Sequence, residues 1–435
     1  MIQQIRIFNY LCICDMTIDL SCSGMNAPPH YEDYEKLLFV QQGKGKYRTR
    51  NNRIVPVLAL YGANASGKTA VLKAVNELIS IVDKGLDYEN FQPNRIKRSS
   101  EDKQYTEFEI VFWKYGDKYD YLLRYDSKTI LKERLAKNDA ENFVIENNIC
   151  KACDASEIGD PENEYRMRCV NITNNCQIKT FLTGVAEACP DADFSINRAR
   201  ECLLNDILIV PENRISFFQG VNKLSSVYGN ELTEEERNDR AVKEIAAYLD
   251  KLDSGITDIE IHREQPVSGC SNSPVASGSD RNNASDGDIF RSVAVFAVHK
   301  SDAGNDVRIK LCNESGGIQL LLGFLGFLLY AVRTGKTVFI DDFDASMHSL
   351  LLIQLARLFK EKRLNAEAQL IFTAHNTDLM TSDLLGRHEI GLVRYDKKSG
   401  SSFSRLADNH DLKSGADIRK LYLNGYFGGI PFPYV

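Results

Sequence analysis

The spacing of apolar side chains divides the chain into segments of different period. Residues 1–20 (ending IRIFNYLCICDMTIDL) alternate apolar and polar positions, the period-two signature of a pair of half-buried strands. Ile54–Tyr61 (IVPVLALY) is continuously apolar and rich in β-branched residues, which predicts a buried strand. After it, Val71, Leu72, Val75, Leu78, Ile79 and Val82 recur at helical spacing. Tyr105–Tyr125 alternates again around a Tyr-Gly-Asp-Lys turn and predicts a hairpin. Residues 140–200 are polar, irregular and cysteine-bearing. Residues 232–253 form an amphipathic helical pattern whose start carries Thr233 with Glu236 three positions later, a capping box. Residues 265–288 are rich in Ser, Gly, Asn and Asp and nearly free of large apolar residues, so a mobile loop is expected. From there the chain is apolar again: the helix IQLLLGFLGFLLYAV, the strand of TVFIDD (Thr337–Asp342), the amphipathic FDASMHSLLLIQLARLF starting near Ser346, and a third buried strand, QLIFTAH (Gln369–His375). The chain contains no internal repeat and no long heptad run.

Chemistry enters at the joint between the first buried strand and its helix, Gly62-Ala63-Asn64-Ala65-Ser66-Gly67-Lys68-Thr69. Strand, glycine loop and helix form the context of a phosphate-binding loop. Gly62 and Gly67 let the backbone bend so that N–H groups, with Asn64 and Ser66 in the same loop, face one anion. The helix N-terminus adds partial positive charge. Lys68 would reach the β- and γ-phosphates of a nucleotide, and Thr69 would hold Mg²⁺ through its hydroxyl. Such a loop needs a metal-side carboxylate at the end of a second buried strand, and Asp341 supplies it. Asp342 sits where a general base could polarise the attacking water. His375 ends the third strand and can bond a γ-phosphate if the three strand ends lie together at the switch edge of a parallel sheet. Ser315, Gly316 and Gly317 open the long apolar helix and make a second anion nest, one that a second subunit could bring to the same phosphate.

Composition narrows the setting. At 435 residues the chain has room for two or three lobes, and 43% apolar with 26% charged residues is ordinary for a soluble globular protein. The net charge of −7 gives no support for wrapping nucleic acid. Lys44, Lys46, Arg48, Arg50 and Arg53 cluster before the loop strand, as a solvated loop or a local basic patch. The opening MIQQIRIFNYL does not read as a signal peptide and no run of eighteen apolar residues occurs, so a cytoplasmic location without membrane association is expected. Eleven cysteines, an odd number scattered along the chain, fit reduced thiols. Cys150 and Cys153 form a CxxC, but Cys169 and Cys176 have the wrong spacing for a zinc ribbon.

Together these segments resemble ABC-type ATPase heads, the class of the SMC and RecF proteins, and more narrowly the bacterial AAA-15/AAA-21 family of stand-alone ATPases. The likeness covers most of the chain. It is carried by YGANASGKT, TEFEIVFWKYGDKYDYLL, SGITDIEI at 254–261, AVHK at 297–300, ESGG at 314–317, FIDDFDASMH at 339–348, AQLIFTAHNTDLM at 368–380 and LYLNGYFGGIP at 421–431. It implies an α/β fold: a P-loop NTPase of ABC-ATPase type, with a mixed sheet core, an antiparallel β subdomain and an inserted helical lobe. The expected division is 1–135 for the N-terminal ATPase lobe, 136–290 for the helical lobe with its loop, and 291–435 for the C-terminal ATPase lobe.

By this resemblance Lys68 and Thr69 belong to Walker A and Asp341 is the Walker B aspartate. Glu314–Gly317 is the signature motif read in trans by a partner's γ-phosphate. Ala345–His348 lies in the D-loop, His375 is the switch histidine, and Gln92 is the candidate for the glutamine loop. ATP and Mg²⁺ are the implied cofactors, and ATP would close a head-to-head homodimer around two nucleotides, with higher assembly left open. The family implies a sensor or regulatory ATPase of bacterial antiphage (abortive-infection) systems, as in RloA/RloB-like and AbiL-type pairs and the PARIS sensor. Such a subunit controls a separately encoded TOPRIM-like nuclease or toxin, with DNA or a phage protein as trigger. A RecF-like repair or chromosome-maintenance ATPase and an ATP-gated scaffold are the alternatives. There are two departures from the family pattern. Asp342 stands where the family usually has Glu, and ESGG replaces an ESSGT-like signature. One methylene less withdraws the carboxylate by about 1.5 Å, and misplacement on the order of 1 Å can cost about a hundredfold in rate, so slow turnover is expected.

Overall fold

In a computed structural model the described residues are 1–21, 39–41, 52–87, 91–94, 105–153, 178–188, 195–210, 215–252, 254–263, 293–344, 347–361, 365–380, 384–409, 411–412 and 415–428. The chain divides into two compact units. One comprises residues 1–214, 331–345 and 352–435, the other 215–330 and 346–351.

The first unit is built on a sheet of thirteen strands. The opening alternation becomes β1 (Ile2–Tyr10) and β2 (Ile13–Asp19), an antiparallel pair. Two short strands, β3 (Phe39–Gln41) and β4 (Asn52–Ile54), pair apart from the large sheet. The loop strand is β5 (Val57–Tyr61), buried at every position, followed by α1 (Lys68–Lys84). Helix α1 turns Val71, Leu72, Val75, Leu78 and Val82 into the core, the stripe expected from their spacing. The predicted hairpin is β6 (Thr106–Lys114) and β7 (Asp117–Tyr125), paired in the order Thr106–Tyr125 to Lys114–Asp117. Strands β8 (Ile130–Lys137), β9 (Ala140–Glu146) and β10 (Ile149–Cys153) continue this antiparallel wing.

Two expectations change here. A boundary after residue 135 would cut through β8, and the segment from 140 to 153 forms strands rather than irregular chain. Strand β9 buries Phe143, Val144 and Ile145, and the short outermost β10 pairs with it along the growing edge of the sheet, which satisfies its backbone. Helices α2 (Phe181–Ala188) and α3 (Ser195–Glu201) follow, then β11 (Ile207–Val210).

In the second unit, α4 (Phe217–Ser225) precedes α5 (Glu234–Lys251). Helix α5 starts at the expected capping box: Thr233 Oγ1 accepts from the Glu236 N–H at 3.3 Å and Glu236 Oε2 accepts from the Thr233 N–H at 2.8 Å. Strands β12 (Ile256–Arg263), β13 (Val293–Lys300) and β14 (Asp306–Lys310) form a three-stranded antiparallel sheet, so the inserted lobe is mixed rather than purely helical. The long apolar helix is α6 (Gly316–Thr334). By length and composition it could cross a membrane, but Leu321, Leu322, Phe324, Leu325, Leu328 and Leu329 are buried in the protein core. The predicted mobile loop at 265–288 and most of the basic cluster before β5 lie outside the described residues.

The remaining strands of the first unit are β15 (Thr337–Ile340), β16 (Gln369–Thr373), β17 (Ile390–Asp396) and β18 (Gly400–Arg405). Helix α7 (Ser349–Leu358) begins three residues later than expected, because His348 caps it: its Nδ1 accepts from the Leu350 N–H at 3.2 Å. A short α8 (Ile418–Leu423) follows β18. The order β17-β5-β16-β15-β11 is parallel throughout, and β17 joins β18 antiparallel towards the wing. Strand β16 therefore lies between the loop strand and the Asp341 strand. Gln369, fully buried at its start, staples it to the wing: Oε1 accepts from Ile2 N at 2.9 Å, and Nε2 donates to Ile2 O at 3.1 Å and Val55 O at 2.9 Å. This fold is that of a P-loop NTPase, a mixed sheet core extended by an antiparallel wing.

Candidate nucleotide-binding site

The glycine loop leaves β5 where no side chain fits. A Cβ on Gly62 would stand 2.2 Å from Val393 O and 2.6 Å from Ser66 Oγ. Gly67 has φ +107°, and a Cβ there would meet Ser401 Oγ at 2.5 Å. Both positions require glycine for geometric reasons. The loop is pinned from β18, since Ser401 Oγ donates to Ser66 O at 2.7 Å. Asn64 is exposed at the crest, whereas Ser66 is buried and its Oγ has no hydrogen-bond partner among the described residues. Helix α1 starts at Gly67 with no side-chain cap and no acidic residue in its first turn. Its first N–H groups are thereby left to an anion.

Lys68 is 6% exposed, and its Nζ donates to Gly62 O at 2.8 Å and Ala63 O at 3.1 Å. Burial lowers its pKa, and the charges of Asp342, Asp341 and Asp344 oppose that shift. Thr69 Oγ1 donates to Asp341 Oδ1 at 3.2 Å, which brings the helix start and the end of β15 together. The same carboxylate oxygen accepts from Thr373 Oγ1 at 2.6 Å, and Thr373 Oγ1 in turn accepts from the Asp342 N–H at 2.7 Å.

Asp342 has φ +46°, a left-handed conformation that short Asp tolerates. Its side chain is 56% exposed, with Oδ1 3.8 Å from His375 Nε2. Asp344 turns back to the segment that follows β16, accepting from the His375 N–H at 2.7 Å and from the Asn376 N–H. Lys68, Thr69, Leu11, Cys12, Lys73 and Gln92 line a cleft of about 580 Å³ beside the loop. Gln92, the glutamine-loop candidate, therefore stands at the loop, with its carbonyl accepting from Leu11 N at 2.9 Å.

The structure thus brings Lys68, Thr69, Asp341, Asp342 and His375 to one edge of the parallel sheet. Ser315, Gly316 and Gly317 belong to the other unit. There Ser315 Oγ accepts from the Ile318 N–H at 3.3 Å and caps α6, and a Cβ on Gly316 would meet nothing within 4 Å. Sequence reasoning missed Thr373, Asp344 and Ser401. Thr373 had a signal, being a hydroxyl at the end of an otherwise apolar strand interior. Asp344 lies in the FIDDFDASMH segment, where nothing local marks its contact with residues 375 and 376. Ser401 had no signal, because its contact with the loop spans 335 residues. Of the CxxC, Cys150 is half-buried in β10, while the side chain of Cys153 lies outside the described residues. Among the described residues no group of His, Cys, Asp and Glu side chains is arranged to hold a metal ion as a dedicated cluster.

The family model AAA_21, described as “AAA domain, putative AbiEii toxin, Type IV TA system”, matches residues 196–381, which include Ser315–Gly317, Asp341, Asp342 and His375. No curated protein matches the chain in sequence. The chain is similar to the solved SMC head bound to the C-winged helix domain of ScpA, with 14% identity, 93% of this chain and 97% of that chain covered, and a TM-score of 0.44. It is also similar to the SMC head domain from Thermotoga maritima, with 12% identity, 93% and 98% coverage and a TM-score of 0.41.

Proposed function

We propose that this chain is a slow, Mg²⁺-dependent ATPase that serves as the sensor or regulatory subunit of a bacterial antiphage system and controls a separately encoded nuclease or toxin. The observation that carries the ATPase reading is the meeting of Thr69 and Asp341 at 3.2 Å beside the glycine loop and Lys68. The residues fit the nucleotide. The cradle excludes any Cβ at Gly62 and Gly67, and Ser66 Oγ is a buried hydroxyl awaiting a partner. They also fit the metal, because Thr69 and Asp341 offer only hard oxygen donors. A bound Mg²⁺ offsets charge on the β- and γ-phosphate oxygens. That offset matters here, because Asp341, Asp342 and Asp344 all act on Lys68 and would otherwise repel the triphosphate.

In this reading Lys68 binds phosphate oxygens, Thr69 and Asp341 hold the metal, and Asp342 takes the proton of the attacking water. His375 bonds the γ-phosphate. The short Asp342 side chain reaches less far than a Glu would, so hydrolysis is slow and the ATP-bound form long-lived. Ser315, Gly316 and Gly317 meet the γ-phosphate of a second copy, closing a homodimer. The regulatory role rests on the AAA_21 match and on the antiphage setting implied by the resemblance.

The test measures phosphate release by the purified chain with Mg²⁺ and with EDTA, beside Lys68→Ala, and light scattering with and without ATP. A Lys68→Ala chain hydrolysing at the wild-type rate would falsify the ATPase reading. Co-purification with the product of the adjacent gene, with and without ATP, tests the regulatory role. Strong stimulation by DNA that collapses with added salt would move the assignment to a RecF-like repair ATPase.

A further inference from the structure

We propose that His299 is a positioning residue for the Glu314-Ser315-Gly316-Gly317 turn, fixing that turn to the three-stranded sheet of its unit. His299 sits in β13, where it pairs with Ile256 of β12 on one side and Val307 of β14 on the other. Its Nε2 lies 2.8 Å from Glu314 Oε1. A carboxylate only accepts, so Nε2 carries the hydrogen and donates. The Glu314 side chain is 7% exposed and that of His299 22%. A carboxylate so far removed from water needs a donor, and leaving it without one is expensive.

The other bonds that shape the turn are local. The Glu314 N–H donates to Leu311 O at 3.1 Å, Gln319 Nε2 donates to Glu314 O at 2.9 Å, and the Ile318 N–H donates to Ser315 Oγ at 3.3 Å. All lie within residues 311–319, whereas the His299 bond ties this segment to a strand. Its direction decides where Ser315 and the open side of Gly316 point. The expected effect on dimerisation rests on the paired-head reading above; the positioning itself does not.

The experiment compares wild type, His299→Ala, His299→Gln and Glu314→Ala full-length chains. Binding of a fluorescent ATP analogue by His299→Ala stays within about twofold of wild type, because that step uses the glycine loop. Amide exchange over residues 311–319 accelerates about tenfold or more, and His299→Gln, which keeps a donor, restores most of the protection. Dimerisation with Mg²⁺ and ATP, followed by sedimentation, weakens about 10- to 100-fold, the loss expected for one hydrogen bond to a charged group.

Unchanged exchange in His299→Ala overturns the proposal. A wild-type chain that stays monomeric with ATP overturns the paired-head reading, and the exchange result then decides the positioning alone. Should His299→Ala fold poorly, the double variant with Glu314→Ala decides. Removing His299 then adds little to the exchange already caused by Glu314→Ala, and full additivity overturns the proposal.

Discussion

Replacing Thr373 by valine removes one hydroxyl from the centre of the candidate site and nothing else of comparable size. Thr373 is fully buried in β16, and valine has nearly the same shape and a strong strand preference. Two bonds are lost, the 2.6 Å donation to Asp341 Oδ1 and the 2.7 Å acceptance from the Asp342 N–H. A hydrogen bond to a charged group contributes about 1.5–3 kcal/mol, and an orphaned N–H costs about 1–3 kcal/mol. Partial rehydration at this sheet edge reduces their sum, so unfolding free energy falls by about 2–4 kcal/mol. The functional effect is separable from the stability effect. Asp341 loses the nearer of the two hydroxyl donors on its Oδ1, Thr69 being the other, and if Asp341 holds the metal as proposed, loss of such an orienting bond lowers metal affinity about 10- to 100-fold.

Titration of a fluorescent ATP analogue at graded Mg²⁺ then shows affinity displaced by that factor with Mg²⁺ and nearly unchanged in EDTA. Thr373→Ser, which keeps the hydroxyl, recovers most of it. A Thr373→Val chain with a lowered urea midpoint but wild-type Mg²⁺ dependence would refute the argument, reducing Thr373 to a structural residue.

Three more outcomes are expected. Asp342→Glu raises the turnover number about 10- to 100-fold by extending the base, while the longer side chain at φ +46° costs about 1 kcal/mol in a urea melt; an unchanged turnover number removes the explanation for slow hydrolysis. Gly67→Ala places a Cβ 2.5 Å from Ser401 Oγ at φ +107°, a strain on the order of 2 kcal/mol that lowers ATP-analogue affinity about thirtyfold, and wild-type affinity in that variant would contradict the cradle geometry. His388 is buried, with both ring nitrogens lacking hydrogen-bond partners among the described residues, and its pKa is drawn down to about 4 by burial and then by the Arg405 charge, against Asp408. Below the ordinary histidine value the unfolded chain takes up a proton that the folded chain refuses. Stability is therefore full above about pH 6.5 and falls by about 2–3 kcal/mol towards pH 4. His388→Phe flattens that part of the pH profile in urea melts, and an equally steep profile would show that the loss comes from other groups.

The parts of the site that depend on local sequence were legible, and those that depend on pairing were not. The glycine loop, α1 and the short strand before Asp341 are each specified within a few residues, and each appears where its pattern placed it. The same holds for the Thr233 capping box and the hairpin of β6 and β7. Strand order is not local information. Nothing in QLIFT says that it inserts between β5 and β15, because all three strands are buried on both faces and read as equivalent apolar runs. Without that order, Thr373 is one polar residue in a strand; with it, Thr373 faces both aspartates. The wing failed for the opposite reason. Strand β10 offers little apolar surface, and β9 keeps its buried Phe143, Val144 and Ile145 between polar flanks, so composition reads as irregular chain although pairing carries the sheet through both strands.

The central place of β16 has a mechanical consequence. Its end is stitched to both neighbours: Ala374 N donates to Leu60 O at 3.1 Å on the loop-strand side, and Phe343 N donates to Thr373 O at 3.0 Å on the aspartate side. Asp344 then holds the His375 and Asn376 N–H groups, and Tyr61 OH donates to Asn376 O at 3.1 Å. Each bond alone is modest, but they form a connected network in which no member moves without breaking another. Asp341, Asp342 and His375 therefore shift as one block with the base of the glycine loop. That arrangement favours positional accuracy over independent motion. Under the proposed ATPase reading, the adjustable variable of this site is side-chain length at Asp342, whose carboxylate is more exposed than the His375 ring. On that reading a change of side-chain length at Asp342 alters turnover while the backbone bonds that hold the strand ends together stay in place.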